Sequence, residues 1–252
     1  MHYLVAEVFG NKHLIGLLIV IILFTSIYHI AFKNKSIKTR KMLIIFLIIF
    51  YILEIIKLTY ITIGEGSFPI YQLPLHLCSL PLYLYPLLVF FKNSRFIESF
   101  IKPTAYSLIM IAGIMALALP TNILGGADKW LPLGDNILPI ISFAFHGLMV
   151  FSSLMLIKSK YYVYNKTDYA RTMIIGIIYA TIAMIFNLIL DKDFMLLNKA
   201  TGSPLGFIMD ISKVLYILSM VGSFAILTGF VFIITKSLVI KNSEYKTKEN
   251  YI

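Results

Sequence analysis

Long uninterrupted runs of apolar residues recur along the whole chain, and they constrain its fold more than any other feature. Seven such runs can be separated, and each is long enough for an α-helix to cross the hydrocarbon core of a bilayer. They span residues 14–32, 42–63, 73–91, 97–119, 137–157, 172–190 and 206–235. We therefore predict an all-α polytopic membrane protein, with a single domain formed by a bundle of seven transmembrane helices.

The composition agrees with a chain that lies almost entirely in lipid. Of the 252 residues, 59% are hydrophobic and 13% are charged, and the mean hydropathy is +0.87. So few charges could not cover the apolar surface of a soluble protein of this length. The net charge of +10 comes from lysines in short connections beside the apolar runs, where they fix topology and contact anionic lipid. Membrane lipids are therefore the expected partners, and nucleic acid is not.

The distribution of basic residues predicts the orientation of the bundle. Sixteen of the 22 Lys and Arg residues lie in the segments 33–41, 92–102, 158–171 and 236–248, which fall on one side of the membrane. The positive-inside rule places that side in the cytoplasm. The amino terminus is then outside and the carboxyl terminus cytoplasmic. The abundance of Ile and Lys is typical of an AT-rich bacterial genome, so we expect a multi-pass protein of a bacterial cell membrane.

Polar side chains inside the apolar runs indicate a candidate functional site, because they are costly in hydrocarbon unless they pair or line a cavity. The second run contains Glu54 and Lys57, which share one helical face and can form an ion pair. The other polar residues of this kind are His13, His76, Cys78, His146, Asn187 and Asp210. The rise of about 1.5 Å per residue places Glu54, Cys78 and His146 in the outer half of the bilayer. We therefore predict one shared polar cavity that opens toward the outer leaflet.

Cys78 is the only cysteine, so the chain can form neither an intrachain disulfide nor a zinc cluster of thiolates, and we expect no metal and no other cofactor. The same apolar run contains prolines at positions 74, 81 and 86, which loosen the helical hydrogen bonding. A thiol becomes a nucleophile as the thiolate, which a nearby imidazole promotes. His76 would lie about 200° from Cys78 around a regular helix. His13 or His146 would have to approach from another helix, and His146 is the better candidate because its predicted depth is similar.

Several segments, taken in order, resemble the YwaF-like bacterial integral membrane proteins, which are related to the eukaryotic transmembrane ether-lipid acyltransferase. These segments are FGNKHL at 9–14, Glu54, LPLHLCS at 73–79, FHG at 145–147 and NLIL with LLNKATGSP between 187 and 204. The resemblance implies a seven-span lipid acyltransferase in which Cys78 accepts the acyl group and His146 is the general base. It gives His76 and His13 supporting roles.

The chain also departs from the pattern of these proteins at three places. Ser79 follows the cysteine where relatives often have an acid, and Phe145 stands where a second histidine is often found. The segment GFIMDISKVLY replaces a Gly-Pro-Trp motif before the last span.

Three functions therefore stay open at the level of the sequence. The first is cysteine-dependent acyl transfer between membrane lipids. The second is a non-enzymatic substrate-binding component or small-solute transporter, in which Glu54 and Asp210 would contact the solute. The third is a signalling or assembly partner without a small ligand. Glu54 and Lys57 form either a structural ion pair or a headgroup site.

Overall fold

The computed structural model describes residues 9–32, 39–91, 94–119, 137–200, 203 and 205–249. All regular secondary structure in these residues is helical. The α-helices found there are α1 Asn11–Ile27, α2 Thr39–Glu65, α3 Leu80–Phe90, α4 Lys102–Ala118, α5 Leu138–Lys158, α6 Asp168–Leu190, α7 Gly206–Met209 and α8 Lys213–Glu249. Six helical segments of the described chain are long and apolar enough to cross a membrane, which confirms an all-α, multi-pass membrane protein.

Six of the predicted runs coincide with these long segments, which are His13–Ile30, Thr39–Glu65, Ile97–Ala118, Leu138–Lys158, Asp168–Leu190 and Lys213–Ser237. Two boundaries differ from the prediction. The predicted last run is interrupted between α7 and α8 by a turn at 210–212. The predicted third run is helical only over Leu77–Phe90. At about 1.5 Å per residue this segment is about 21 Å long, which is shorter than the hydrocarbon core of about 30 Å.

Proline explains why the third run begins its helix late. The chain between α2 and α3 contains two short 3₁₀ turns, Ile70–Gln72 and Leu77–Ser79, and is otherwise irregular. Pro74 disfavours a helical conformation in the residue before it and cannot donate a backbone hydrogen bond. Pro81 lies in the first turn of α3, where the missing donor costs nothing.

Contacts between the connections define two ends of the bundle. At the first end, called the basic end below, the Lys102 ammonium lies 3.9 Å from the centre of the Tyr161 ring. At the opposite end, called the distal end, the Met195 amide donates to the Nδ1 atom of His76 at 3.3 Å. The polar residues considered above lie between the middle of the bundle and this distal end.

The centre of the bundle is α4, which is buried along most of its length and packs against α3, α5, α6 and α8. Two glycines permit close helix packing beside it. A Cβ atom on Gly113 of α4 would lie 2.9 Å from the His146 carbonyl oxygen of α5. A Cβ atom on Gly147 would lie 2.6 Å from side-chain carbons of Val20 and Phe24 in α1. The backbone around His146 is therefore fixed from two sides.

Candidate functional site

Three aromatic side chains from three helices form the floor of the candidate site. Phe50 of α2 lies 5.2 Å from Tyr85 of α3 and 5.1 Å from Phe145 of α5, measured between ring centres. All three are buried. Aromatic pairs at this separation pack favourably, so they hold α2, α3 and α5 in a fixed arrangement. Polar residues lie about one helical turn from these three rings, on the side toward the distal end.

Glu54 and Lys57 form the predicted ion pair above Phe50. The Lys57 Nζ atom lies 2.8 Å from the Glu54 Oε1 atom, and the two side chains are 26% and 10% exposed, respectively. The contact lacks the geometry of a hydrogen bond, so Oε1 is buried with unused acceptor capacity. A buried charge pair costs desolvation energy and stabilises the fold only weakly. Stability alone therefore gives little reason for the pair.

His146 is held in one tautomer by its own helix. Its Nδ1 atom lies 2.7 Å from the carbonyl oxygen of Ser142 and 3.2 Å from the Ser142 hydroxyl. Because the carbonyl can only accept, Nδ1 carries the proton of the neutral ring. The Nε2 atom then has a free lone pair, and it makes no hydrogen bond to any residue that the structure describes. An imidazole oriented in this way is suited to accept a proton.

Cys78 lies in the 3₁₀ turn Leu77–Ser79, directly before α3. Its side chain is partly buried and packs against the main hydrophobic core. The backbone of His76 is extended, with φ −82° and ψ 155°, so the angle of 200° expected for a regular helix does not apply. Within the described chain, no hydrogen bond joins the Cys78 thiol to an imidazole.

Lys57 lies within electrostatic range of three other predicted site residues. Its ammonium interacts electrostatically with the Cys78 thiol, the His146 ring and the His76 ring. These three groups come from α5 and from the segment before α3, whereas Lys57 lies on α2. The structure thus brings Glu54, Lys57, Cys78, His76 and His146 into one neighbourhood, which we call the polar cluster.

Tyrosine hydroxyls satisfy the irregular backbone that leads to Cys78. The Tyr179 hydroxyl of α6 donates to the carbonyl oxygens of Pro74 and His76, at 3.0 Å and 2.9 Å. The Tyr83 hydroxyl of α3 donates to the Pro74 carbonyl at 2.8 Å. Non-helical backbone at membrane depth is tolerated only when such partners are supplied. These bonds fix the position of the segment without a regular helix.

His76 uses both ring nitrogens in contacts with the surrounding backbone. Its Nε2 atom donates a long hydrogen bond of 3.4 Å to the Tyr71 carbonyl, and its Nδ1 atom accepts from Met195. The Tyr71 side chain lies outside the spans and donates a short hydrogen bond to Glu65. Partial burial, followed by the hydrogen bond and the charge of Glu65, raises the pKa of Tyr71 to about 12. His76 is therefore a structural contact at the edge of the polar cluster.

Residues 191–200 pack against His76 at the distal end of the bundle, and we call them the distal strap. Asn187, fully buried near the end of α6, donates to the Phe194 carbonyl at 2.9 Å and accepts from the Phe194 amide at 2.6 Å. The Phe194 ring contacts the His76 ring with 5.4 Å between their centres. Non-glycine residues with positive φ in this strap are Asp191, Met195, Leu196 and Ala200. Such conformations are uncommon and cost free energy. Asn187 thus positions the strap and does not reach the thiol.

Two other predicted residues lie away from the polar cluster. His13 is buried between α1, α4 and α5, where its Nδ1 atom accepts from the Phe9 amide at 2.9 Å and its Nε2 atom donates to the Leu117 carbonyl at 2.7 Å. Both ring nitrogens are occupied, so His13 acts as an interhelical link. Asp210 is exposed in the turn between α7 and α8. Lys213, three residues later, bonds the Asn198 side chain.

One contact that sequence reasoning missed holds α2 against α3. The Tyr51 hydroxyl donates to the Leu82 carbonyl at 2.9 Å. Leu82 lies four residues before Pro86, whose nitrogen carries no hydrogen, so this carbonyl has no partner in a regular helix. The sequence does indicate this free carbonyl, because Pro86 has no N–H to donate to the Leu82 oxygen. The residue that supplies the donor depends on how α2 packs against α3.

Comparison with known proteins identifies a family. The model of a family described as the TMEM164 family matches residues 8–235, which is most of the chain. No curated protein and no solved structure matches the chain.

Proposed function

The chain belongs to the TMEM164 family, and from this premise we propose that it is a lipid acyltransferase of a bacterial cell membrane. In this proposal Cys78 is the nucleophile and His146 is the general base. The resemblance of the LHLC and FHG segments to the YwaF-like proteins and the transmembrane ether-lipid acyltransferase supports the same assignment. We further propose that the short segment Leu77–Phe90, with residues 73–76 before it, is the seventh crossing of the membrane. The basic end then faces the cytoplasm.

The observation that carries the proposal is the hydrogen bonding of His146, whose Nδ1 atom is bonded to Ser142 while its Nε2 atom stays available. The Lys57 ammonium lies within electrostatic range of both the only thiol of the chain and the His146 ring, which supports placing these groups in one site. His13 and His76 have both ring nitrogens bonded, whereas the His146 Nε2 atom keeps its lone pair. His146 is therefore the best proton acceptor among these three histidines.

The reaction follows from these two groups. When a lipid ester binds, the Cys78 thiol transfers its proton to the His146 Nε2 atom, and the thiolate attacks the ester carbonyl. The carbon–oxygen bond to the lysolipid breaks, and the leaving oxygen takes the proton from the imidazolium. A thioester on Cys78 and a neutral His146 remain. The hydroxyl of a second lysolipid then gives its proton to Nε2 and attacks the thioester, which restores the thiol.

The apparent gap between thiol and imidazole fits a site without substrate, because catalytic hydrogen bonds are often long until the substrate is bound. Lys57, neutralised by Glu54, offers a cation close to where negative charge develops on the carbonyl oxygen or where a lipid phosphate lies. Glu54 holds that ammonium in place. The distal strap shields the reacting groups from water on the side of His76.

Trapping of the acyl-enzyme tests the proposal. We expect the protein, purified and incubated with phospholipid vesicles, to acquire a fatty acyl group on Cys78 that neutral hydroxylamine removes. Cys78→Ala should abolish this modification, and His146→Gln should slow it by about a hundredfold or more. His29→Gln is the matched control, because His29 is exposed and far from the cluster, and it should leave the rate unchanged. Lipid acyl transfer that persists in Cys78→Ala would refute the mechanism.

A pocket that binds a solute without reaction is the second candidate. The unused acceptor of Glu54 and the missing hydrogen bond between thiol and imidazole are the observations that favour it. In that case a solute would raise the melting temperature of both the wild type and Cys78→Ala by the same amount, and no thioester would form.

A further inference from the structure

A groove of about 310 Å³ opens on the surface of the bundle along the seam between α2 and α3. It is lined by Leu47, Ile48, Tyr51, Pro86 and Phe90. The Tyr51 hydroxyl, the polar atom among these side chains, is already donated to the Leu82 carbonyl. The groove therefore offers an apolar surface without a free hydrogen-bonding side chain.

The groove opens sideways, toward the region that lipid occupies. Ile48 is half-exposed and Phe90 is 69% exposed, although both lie on helices that cross the bundle. The hydrogen bond between Tyr51 and Leu82 joins α2 to α3 at the end of the groove nearer the distal end of the bundle. Beyond this bond, toward the basic end, Pro86 and Phe90 form one wall, and Leu47 and Ile48 form the other.

The groove begins directly beneath the polar cluster. Glu54 lies three residues beyond Tyr51 on α2, and Cys78 lies four residues before Leu82. Both therefore lie about one helical turn to the distal side of the hydrogen bond that joins Tyr51 and Leu82. Twelve residues separate Cys78 from Phe90, which corresponds to about 18 Å along the helix axis. The seam between α2 and α3 therefore extends from the level of Cys78 toward the basic end.

We propose that this groove binds the hydrocarbon chain of a membrane lipid, and the placing of that lipid's ester group at the polar cluster rests on the proposed function. The groove is lined by apolar groups, opens sideways and leaves no side-chain donor or acceptor free, which matches the chemistry of a hydrocarbon chain. The apolar wall excludes headgroups, because none of their polar atoms would find a partner there. Ile48 lies in the α2 wall beyond Tyr51, where its size sets how far the chain extends.

Photocrosslinking in lipid tests the site directly. The full chain is reconstituted in phosphatidylcholine vesicles that contain a small amount of a phospholipid with a diazirine at the end of one acyl chain. We expect the crosslinks to concentrate on residues 47–51 and 86–90. Ile48→Trp fills the groove and should reduce these crosslinks by about fivefold or more. Ile52→Trp is the matched control, since Ile52 is 49% exposed and Ile48 is 50% exposed, but Ile52 does not line the groove.

The outcomes separate this site from ordinary lipid contact and from the proposed reaction. Crosslinks spread equally over exposed residues such as Ile22, Ile178 and Ile226, with no effect of Ile48→Trp, would mean that only bulk lipid fills the groove and would overturn the inference. The binding step rests on geometry alone, so crosslinks in the groove should persist in Cys78→Ala. If the crosslinks form but the wild-type protein never forms a thioester, the lipid site would be supported and the proposed acyl transfer refuted.

A second variant tests whether the groove measures the length of the acyl chain. Ile48→Ala widens the groove and should shift any transferred acyl groups toward longer chains. An unchanged chain preference would count against the site.

Discussion

Replacing Tyr51 with Phe should destabilise the bundle through a single backbone carbonyl. The Tyr51 hydroxyl of α2 donates to the Leu82 carbonyl of α3 at 2.9 Å. Pro86 lies four residues after Leu82 and has no N–H, so the helix itself supplies no donor to that oxygen. Phe keeps the ring and its packing but removes the hydroxyl. The carbonyl would then be left without a partner in a part of the bundle that water does not reach.

The size of the effect follows from two limits. An unsatisfied buried acceptor costs about 1–3 kcal/mol. Hydrogen bonds between membrane helices contribute less on average, about 0.6 kcal/mol with a maximum near 1.7, because the unfolded chain in lipid also finds partners. Leu82 is only 7% exposed, which favours the upper part of this range. We therefore expect Tyr51→Phe to lower the free energy of unfolding by about 1–2 kcal/mol.

A double-mutant cycle with Pro86→Ala isolates the interaction. Alanine in place of this proline would restore an N–H that can reach the Leu82 carbonyl in a regular helix, so the Tyr51 hydroxyl becomes dispensable. In that background Tyr51→Phe should cost about 0.5 kcal/mol or less, which gives a coupling energy of about 1 kcal/mol. The free energy of unfolding can be measured by equilibrium titration in mixed detergent micelles.

Tyr83→Phe is the matched control for loss of a hydroxyl. The Tyr83 hydroxyl also donates to a carbonyl freed from regular structure, that of Pro74, but this oxygen keeps a second donor in Tyr179. Its loss should therefore cost less than that of Tyr51. Equal costs for Tyr51→Phe with and without Pro86 would refute the account of the free carbonyl.

Three further variants test the surroundings of the polar cluster. Asn187→Leu removes both hydrogen bonds to the distal strap, so a charged methanethiosulfonate should modify Cys78 about tenfold faster; an unchanged rate would mean that the strap does not shield the thiol. His13→Leu leaves one α4 carbonyl unsatisfied and should lower the free energy of unfolding by about 1–3 kcal/mol, while thioester formation per folded molecule, measured by hydroxylamine release, stays constant. Lys57→Met leaves a buried charge and should cost about 3 kcal/mol, and adding Glu54→Gln should recover most of this loss in the same unfolding titration. No recovery would show that the ion pair is not what Lys57 contributes.

The apolar runs were sufficient to predict the fold class, because helices are the only way for a single apolar segment to satisfy its backbone in lipid. Five of the predicted runs became long helices within four residues of their expected bounds, and the last long helix begins seven residues later than expected. The third run was harder, since hydropathy does not report whether a proline-rich segment such as 66–79 is helical. The lone thiol and the histidines could also be identified, because a polar residue within an apolar run is conspicuous in any sequence.

The sequence alone thus determined a helical membrane bundle, the one thiol it contains and the pairing of Glu54 with Lys57, which are all properties of composition or of neighbours on one helix. Only the tertiary structure decided which of the histidines at 13, 76 and 146 keeps a free ring nitrogen. Ring nitrogens at 13 and 76 are occupied by backbone groups distant in sequence, and the hydroxyl that satisfies Leu82 comes from a different helix. Such contacts depend on the rotation of each helix about its axis and on the angles at which the helices pack. These quantities cannot be obtained from the order of residues along the chain.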